Sequence, residues 1–600
     1  MPQYKAPLRD MQFVLHEVLN AEQHYAKLPA FKDSVSRELV DQYLEAAADF
    51  CEKELSPLNQ VGDREGCHLK DGVVTTPTGF KEAYQKYVEL GFPSLAAEEA
   101  YGGQALPDSL ANVISEMVGT ANWAWGMYSG LSHGAVRTLE HHGSDLQKQT
   151  YLPNLVSGQW TGTMCLTESQ AGSDLGIIRT KAEPNADGSY AITGEKIFIS
   201  AGEHDMAENI VHIVLARLPN APKGTKGISL FIVPKFLVNE NGELGERNAV
   251  HCGAIEHKMG IHGNATCVLN FDGATGYLIG PENRGLNCMF TFMNTARIGT
   301  AVQGVSASEA AFQGALAYAK DRLAMRSLSG AKAPDKEADP IIVHPAVRNM
   351  LLTQKAFAEG GRALVYLLSQ YGDIVEKTDN EAERQAADNI LSLLTPVAKA
   401  FLTETGAESA KHGVQVFGGH GFITEHGMEQ IVRDTRISCL YEGTTEIQAL
   451  DLIGRKVLGS KGKMLQDFAK IIYAFIEEHK DQAEMQEFIA PLVNYGQKWN
   501  DLTTHIAELA QKNPEEVGAA AVDYLYVSGY ITLAYLWARM AAVAYAQLKT
   551  DTTEVDFYRA KIATAQFYFK KLLPRVHGHI AVIKTGAEPL MQLDAEHFAF

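Results

Sequence analysis

The 600-residue sequence predicts a mainly α-helical protein with a central antiparallel β domain, a helical bundle after it and an additional helical domain at the C-terminus. Three observations carry that fold class. Apolar residues recur at three- and four-residue steps up to about residue 157 and again from about 285 onward, a spacing that lines one face of a helix. Between those zones lie short β-branched and aromatic runs separated by Gly, Asn, Asp and Pro, with no helical pattern among them. Such runs suit an antiparallel sheet or small barrel and do not suit repeated β-α-β units. The length also exceeds what one hydrophobic core supports.

Residues 1–40 read as an N-terminal extension and 41–160 as a helical domain, with helices over 41–55, 80–90, 107–118 and 145–156. Residues 161–284 form a β-barrel-like middle domain, with strands at 209–215, 228–233 and 267–271. Asp187-Gly188, between the runs 179–183 and 190–193, is a hairpin signal. Residues 285–462 read as a four-helix bundle. A long helix over 286–325 is broken by a Gly/Lys/Pro/Asp linker at 330–340. Helices follow over 345–375 and 381–412, and the one after Glu442 closes near 458. Residues 463–600 form the additional C-terminal helical domain.

Charge and composition narrow the function. A net charge of −19 repels phosphate backbones and anionic lipid, so neither nucleic acid nor a basic membrane-docking patch is expected. The seven cysteines include no Cys-x-x-Cys pair, which fits reduced, buried thiols in a cytoplasmic protein. Residues 1–19 carry Asp10 and Glu17 and have no apolar run typical of a signal peptide. The uncharged stretch 524–538 falls short of the ~18–20 residues a membrane span needs and is closed by Arg539, so it reads as a core helix rather than a transmembrane segment. Gly130-Leu131-Ser132-His133-Gly134 matches a nucleophile elbow but lacks the strand before it. The twenty histidines show no metal-ligand spacing, and no metal is expected.

Three segments carry chemistry. The first is Met164-Cys165-Leu166-Thr167-Glu168-Ser169-Gln170-Ala171-Gly172-Ser173-Asp174. The second is Glu195-Lys196-Ile197-Phe198-Ile199-Ser200. The third is Gln415-Val416-Phe417-Gly418-Gly419-His420-Gly421-Phe422, followed by Arg433-Asp434 and by Tyr441-Glu442-Gly443-Thr444-Thr445-Glu446-Ile447-Gln448. In order and spacing these resemble the acyl-CoA dehydrogenase family over about residues 40–460. The opening residues and C-terminal helices resemble its large-subunit branch, which includes 3-methylmercaptopropionyl-CoA and some bacterial fatty-acyl-CoA dehydrogenases.

The resemblance implies an FAD-dependent α,β-dehydrogenation of an acyl-CoA thioester to the trans-2-enoyl-CoA in fatty-acid β-oxidation. Electrons would pass to an electron-transfer flavoprotein, and the assembly would be a homodimer or higher homo-oligomer. Such chemistry needs a base on one face of the substrate and a hydride acceptor on the other. No side chain accepts a hydride, so a cofactor must. A carboxylate serves as the base where the site is dry. By resemblance Glu442 is that base, and Arg297 is an arginine near base and substrate. One branch of the family carries its base on the first bundle helix, where this chain has Ala296, which accepts no proton. Met164, Leu166, Thr167, Ser173, Phe198 and Ser200 would meet the cofactor, with Phe198 in place of a frequent tryptophan. Arg322, Gln415, Gly418 and Gly419 would do so from a neighbouring subunit, and Thr444 and Glu446 complete the set. Ser173, Asn294, Arg297 and Gly443 would face the substrate; Asn294 stands where aspartate is frequent and Glu446 where glutamine is. Taken without the resemblance, Glu442 reads as a helix N-terminal acid favoured by the macrodipole, Arg297 as a surface cation and the hydroxyls as turn formers. An acyl-CoA oxidase shares the same residues and is an alternative. A DNA-binding flavin relative is disfavoured by the charge and by the absence of a C-terminal Lys/Arg cluster.

Overall fold

The structure, a computed structural model, describes residues 3–239 and 241–599. The chain divides into two compact units, one holding Gln3–Ala6 with Tyr43–Gly299, the other Pro7–Gln42 with Thr300–Phe600. Helix α1 (Arg37–Phe50) runs across the first boundary between them.

The unit of Tyr43–Gly299 opens on helices and ends on a sheet. Helices α2 (Phe80–Glu89), α3 (Asp108–His142) and α4 (Asp145–Val156) come first. Ser144 caps α4 through a reciprocal pair of bonds with Gln147. Helix α3 runs well past the expected end near Val118. It kinks at Asn122 (φ −163°, ψ 92°), whose side chain accepts from the Trp125 amide at 3.1 Å and restarts the helix.

Seven strands form the main sheet: β1 (Trp160–Cys165), β2 (Lys181–Pro184), β3 (Tyr190–Ser200), β4 (Asn209–Ala216), β5 (Ser229–Pro234), β6 (Val250–Ile255) and β7 (Thr266–Ile279). They pair in the order β1-β4-β5-β7-β3-β2, with β6 also on β7. Antiparallel pairing dominates, as expected, with one departure: β1 and β4 run parallel. Every residue of β4 and β5 is buried, so these strands read as unbroken apolar runs rather than alternating ones. The hairpin at Asp187-Gly188 is present, with Gly188 at φ +86° between β2 and β3.

Helix α5 (Gly285–Asp321) carries the chain across the second boundary, at Gly299. In the other unit, α6 (Pro345–Lys377) and α7 (Glu381–Phe417) pack along each other. They are followed by α8 (Met428–Arg436), α9 (Thr445–Leu450), α10 (Lys463–His479), α11 (Gln486–Ala510), α12 (Glu515–Leu548) and α13 (Val555–Phe567). Helix α12 contains the apolar stretch read as core. Among the described residues it is the one helix long and apolar enough to cross a membrane, yet its middle is buried in this unit. A Cβ on Gly529 would enter the Phe401 ring of α7, and the Trp537 indole donates to the Ala356 carbonyl of α6 at 3.1 Å.

Residues 7–42 belong to the same unit as the bundle and the C-terminal helices. Buried Arg362 pairs with Asp10 and, at 2.9 Å, with Glu309; Lys561 pairs with Asp10 and, at 2.8 Å, with Glu359. One buried charge network thus links the N-terminal segment, the bundle and α13.

Candidate active site

Glu442 lies in the turn between α8 and α9, not in a helix. Its φ of +56° is in the left-handed region, which costs a side-chain-bearing residue of the order of 1–3 kcal/mol and persists only where surroundings impose it. Gly443 follows at φ +89°, and a Cβ there would come 2.6 Å from Gln448 Nε2. Thr444 caps α9, its hydroxyl accepting from the Ile447 amide at 3.3 Å.

The turn is held by side chains from three helices. Gln448 Nε2 donates to the Glu442 carbonyl at 2.8 Å, and Lys399 Nζ of α7 donates to the Gly443 carbonyl at 2.6 Å. Both side chains are fully buried. The Thr445 hydroxyl donates to Glu404 at 2.6 Å, and the Tyr441 hydroxyl donates to Gln303 of α5. Glu442 and Gly443 are half-buried, whereas Glu446 points to solvent. The sequence reading singled out none of Lys399, Gln448, Gln303 or Glu404. A signal existed for Lys399, a single lysine in the apolar run Pro396-Val397-Ala398-Lys399-Ala400-Phe401-Leu402, since lysine is almost never fully buried without a partner.

The far end of α5 forms a second cluster in the same unit. Tyr318 stacks on Phe417 with ring centroids 4.1 Å apart, and its hydroxyl meets His420 Nδ1 at 2.9 Å. Arg322 and the Gln415, Gly418 and Gly419 segment therefore share one region, all exposed, with open space where Cβ atoms of the two glycines would stand. Gln303, at the Glu442 turn, precedes Tyr318 by fifteen positions on α5, about 22 Å along the axis.

In the unit of Tyr43–Gly299, the first two motifs lie side by side. The Ile197 amide donates to the Thr167 carbonyl at 2.9 Å, bringing Met164, Leu166 and Thr167 next to Phe198 and Ser200. Lys196, fully buried, crosses beneath them to the Leu166 carbonyl and Glu168 Oε1, each at 2.9 Å. Glu168 also accepts from the Thr180 hydroxyl at 2.6 Å and the Arg179 amide at 2.6 Å. Burial alone would raise this carboxyl. The Lys196 ammonium and these donors outweigh it and hold the group at about 2. Above this base, Phe198 is 59 % exposed with φ +59°, an aromatic face held outward on strained backbone. Thr167 and Ser200 are half-buried, and Ser173 and Asn294 are exposed. Arg297 on α5 is half-buried rather than a surface cation, and its buried Nε has no hydrogen-bond partner among the described residues. The elbow-like Ser132 lies inside α3, donating to the Tyr128 carbonyl at 3.1 Å, where it serves packing.

Comparison with known proteins bears on the strained acid turn of one unit and on the exposed aromatic strand end of the other. Residues 38–159, 163–274 and 283–458 match the N-terminal, middle and C-terminal domains of acyl-CoA dehydrogenase. Residues 468–594 match an "acetyl-CoA dehydrogenase C-terminal like" domain. The 3-methylmercaptopropionyl-CoA dehydrogenase of Ruegeria pomeroyi is 41 % identical over 97 % of this chain and 98 % of its own. The chain belongs to the acyl-CoA dehydrogenase family. It is therefore an oxidoreductase acting on a CH–CH bond. A broad-specificity linear acyl-CoA dehydrogenase of Mycobacterium tuberculosis is 34 % identical over the full length of both chains. The fold matches that of an acyl-CoA dehydrogenase of Bacillus anthracis solved in complex with FAD, with a TM-score of 0.73, 21 % identity and coverage of 92 % of this chain and 88 % of that one. In this acyl-CoA dehydrogenase the third match ends with the turns after α9, and the fourth spans the helices built around α12.

Proposed function

We propose that the protein desaturates an acyl-CoA thioester between Cα and Cβ, with Glu442 as the base that takes the α-proton. One observation carries this reading: a half-buried carboxylate on backbone strained to φ +56°, in a turn whose two carbonyls are gripped by fully buried side chains. Strain of this kind marks a side chain held for a purpose.

The residues present fit FAD, which the Bacillus anthracis relative binds. Phe198 offers a flat apolar wall, Thr167 and Ser200 offer short hydroxyl donors, and Arg322 offers an exposed cation for a diphosphate. When bound, FAD supplies the acceptor for the hydride leaving Cβ. The chain's own residues do the rest. Thr167, Ser200 and the adjacent backbone orient the ring, and the buried Glu168–Lys196 pair ties the segment after β1 to β3. The unpaired Arg297 Nε is a donor available to a ligand oxygen. Glu442 Oε receives the α-proton, while Glu446, out in solvent, takes no part in that proton transfer. Arg322 and the Gln415–Gly419 segment lie about 22 Å along α5 from the Glu442 turn, a separation that supports a homodimer or larger assembly in which they serve a site on a second copy.

The relatives' names span a sulfur-containing propionyl thioester and linear acyl thioesters. The proposed substrate is therefore an acyl-CoA thioester. Electron transfer to an electron-transfer flavoprotein in β-oxidation is the proposed fate of the electrons. Purified protein should be yellow, release FAD on denaturation and bleach with a subset of a C3–C12 acyl-CoA panel. It should reduce an electron-transfer flavoprotein in preference to making peroxide. Colourless protein that FAD does not reconstitute contradicts the reading, and stoichiometric peroxide moves it to an oxidase.

A further inference from the structure

We propose that Lys399 and Gln448 are positioning residues for Glu442, acting through the carbonyls of the two successive peptides that follow it, Glu442–Gly443 and Gly443–Thr444. The inference rests on Glu442 being the base and extends that reading to how the carboxylate is aimed.

A residue in the left-handed region relaxes by turning its peptide planes. Here the two successive planes that follow Glu442, Glu442–Gly443 and Gly443–Thr444, are each fixed. Gln448, one turn into α9, donates to the Glu442 carbonyl at 2.8 Å, and Lys399, on α7, donates to the Gly443 carbonyl at 2.6 Å. The two donors come from different helices, so neither can follow a rotation of the turn without leaving its own helix. Both donor side chains are fully buried. Helix α9 packs on α12 and α7, so Gln448 is itself held in place. The Gln448 amide fills the space where a Cβ on Gly443 would come, which keeps that position glycine. A neutral amide would satisfy a carbonyl at lower desolvation cost. A buried lysine here has four methylenes to span from α7 to the turn and an ammonium whose bond to a carbonyl is stronger than a neutral one. These features point to aim rather than to general stability.

The test is a double-mutant cycle on the FAD-loaded protein, read as the limiting rate of flavin reduction by an acyl-CoA that bleaches the wild type. Lys399→Met should slow reduction about 10–100-fold, the loss expected from displacing a reacting group by about 1 Å, while thioester affinity stays within about threefold. In a Glu442→Gln background the same change should cost less than about twofold, because there is no base left to aim. A merely structural role would cost the same in both backgrounds, and that result overturns the proposal. If Glu442→Gln itself reduces flavin normally, the base assignment fails instead, which separates the two claims. Backbone hydrogen exchange, measured without substrate, gives an independent reading. Lys399→Met should speed exchange of the amides in 441–448 and leave the rest of the unit unchanged, and unchanged exchange at 441–448 overturns the proposal. Should Lys399→Met not fold, Gln448→Leu releases the other carbonyl and is judged by the same outcomes.

Discussion

Lys196, two residues before the exposed Phe198, forms a buried ion pair with Glu168, and the charge state of that pair decides how much stability it adds. The carboxyl lies at about 2, below the ordinary value near 4.3 for glutamate. A group depressed on folding adds stability above its unfolded pKa, and that stability drains away as the pH falls toward the folded one. Glu168→Gln leaves Lys196 buried without its counter-ion and should cost about 3–5 kcal/mol at pH 7. By denaturant titration, the gap between wild type and variant should stay constant from pH 7 to 5 and narrow below about pH 4.3, by up to about 1.4 kcal/mol per pH unit. A gap independent of pH down to 3.5 would mean the carboxylate is not held by Lys196. At this scale the sequence made the chemistry-bearing types legible, including Glu442, Thr167, Ser200 and Phe198. Their supports were less so: a lone lysine in an apolar run marks Lys399 as a buried cation, but neither its partner carbonyl at Gly443 nor the return of the Gln448 side chain onto the Glu442 carbonyl follows from spacing.

At the scale of elements, periodicity located most helices and strands, and glycine was the recurrent source of error. The reading stopped a helix near Val118, yet α3 continues to His142 through Gly126, Gly130 and Gly134. A Cβ at Gly134 would enter the Phe292 ring, and one at Gly162 would meet Ala135 of α3, so these glycines permit close approach and do not end elements. The parallel β1–β4 pairing was equally hidden, since partner choice is set by the whole sheet. The same logic governs the crossing of α5 and α7, where a Cβ on Gly304 would overlap the Leu402 carbonyl and one on Gly406 would stand 3.0 Å from Gly304 Cα. Backbone cannot swing aside as a side chain does. Gly304→Ala should therefore lower stability by about 1–3 kcal/mol despite alanine's better helix propensity. A denaturation midpoint at or above wild type would show that the helices part freely.

At the scale of the whole molecule, residues 7–42 and the C-terminal helices fold with the bundle, joined by Asp10, Arg362, Glu309, Glu359 and Lys561. In sequence these are isolated charges hundreds of positions apart, so the extension and the C-terminal helices read as separate zones. Helix α12 packs on α9, which places the C-terminal helices directly behind the turn that carries Glu442. On the proposal that Glu442 is the base, these helices serve catalysis by holding that turn. The most direct measurement is single-turnover reduction of the bound flavin by an acyl-CoA, comparing wild type, Glu442→Gln and Glu446→Gln at equal flavin content. Glu442→Gln should bind the thioester but lose at least the ~10²–10⁴-fold that a general base contributes, while solvent-exposed Glu446→Gln stays near wild type. A near-normal rate in Glu442→Gln, or a collapse in Glu446→Gln alone, would contradict it.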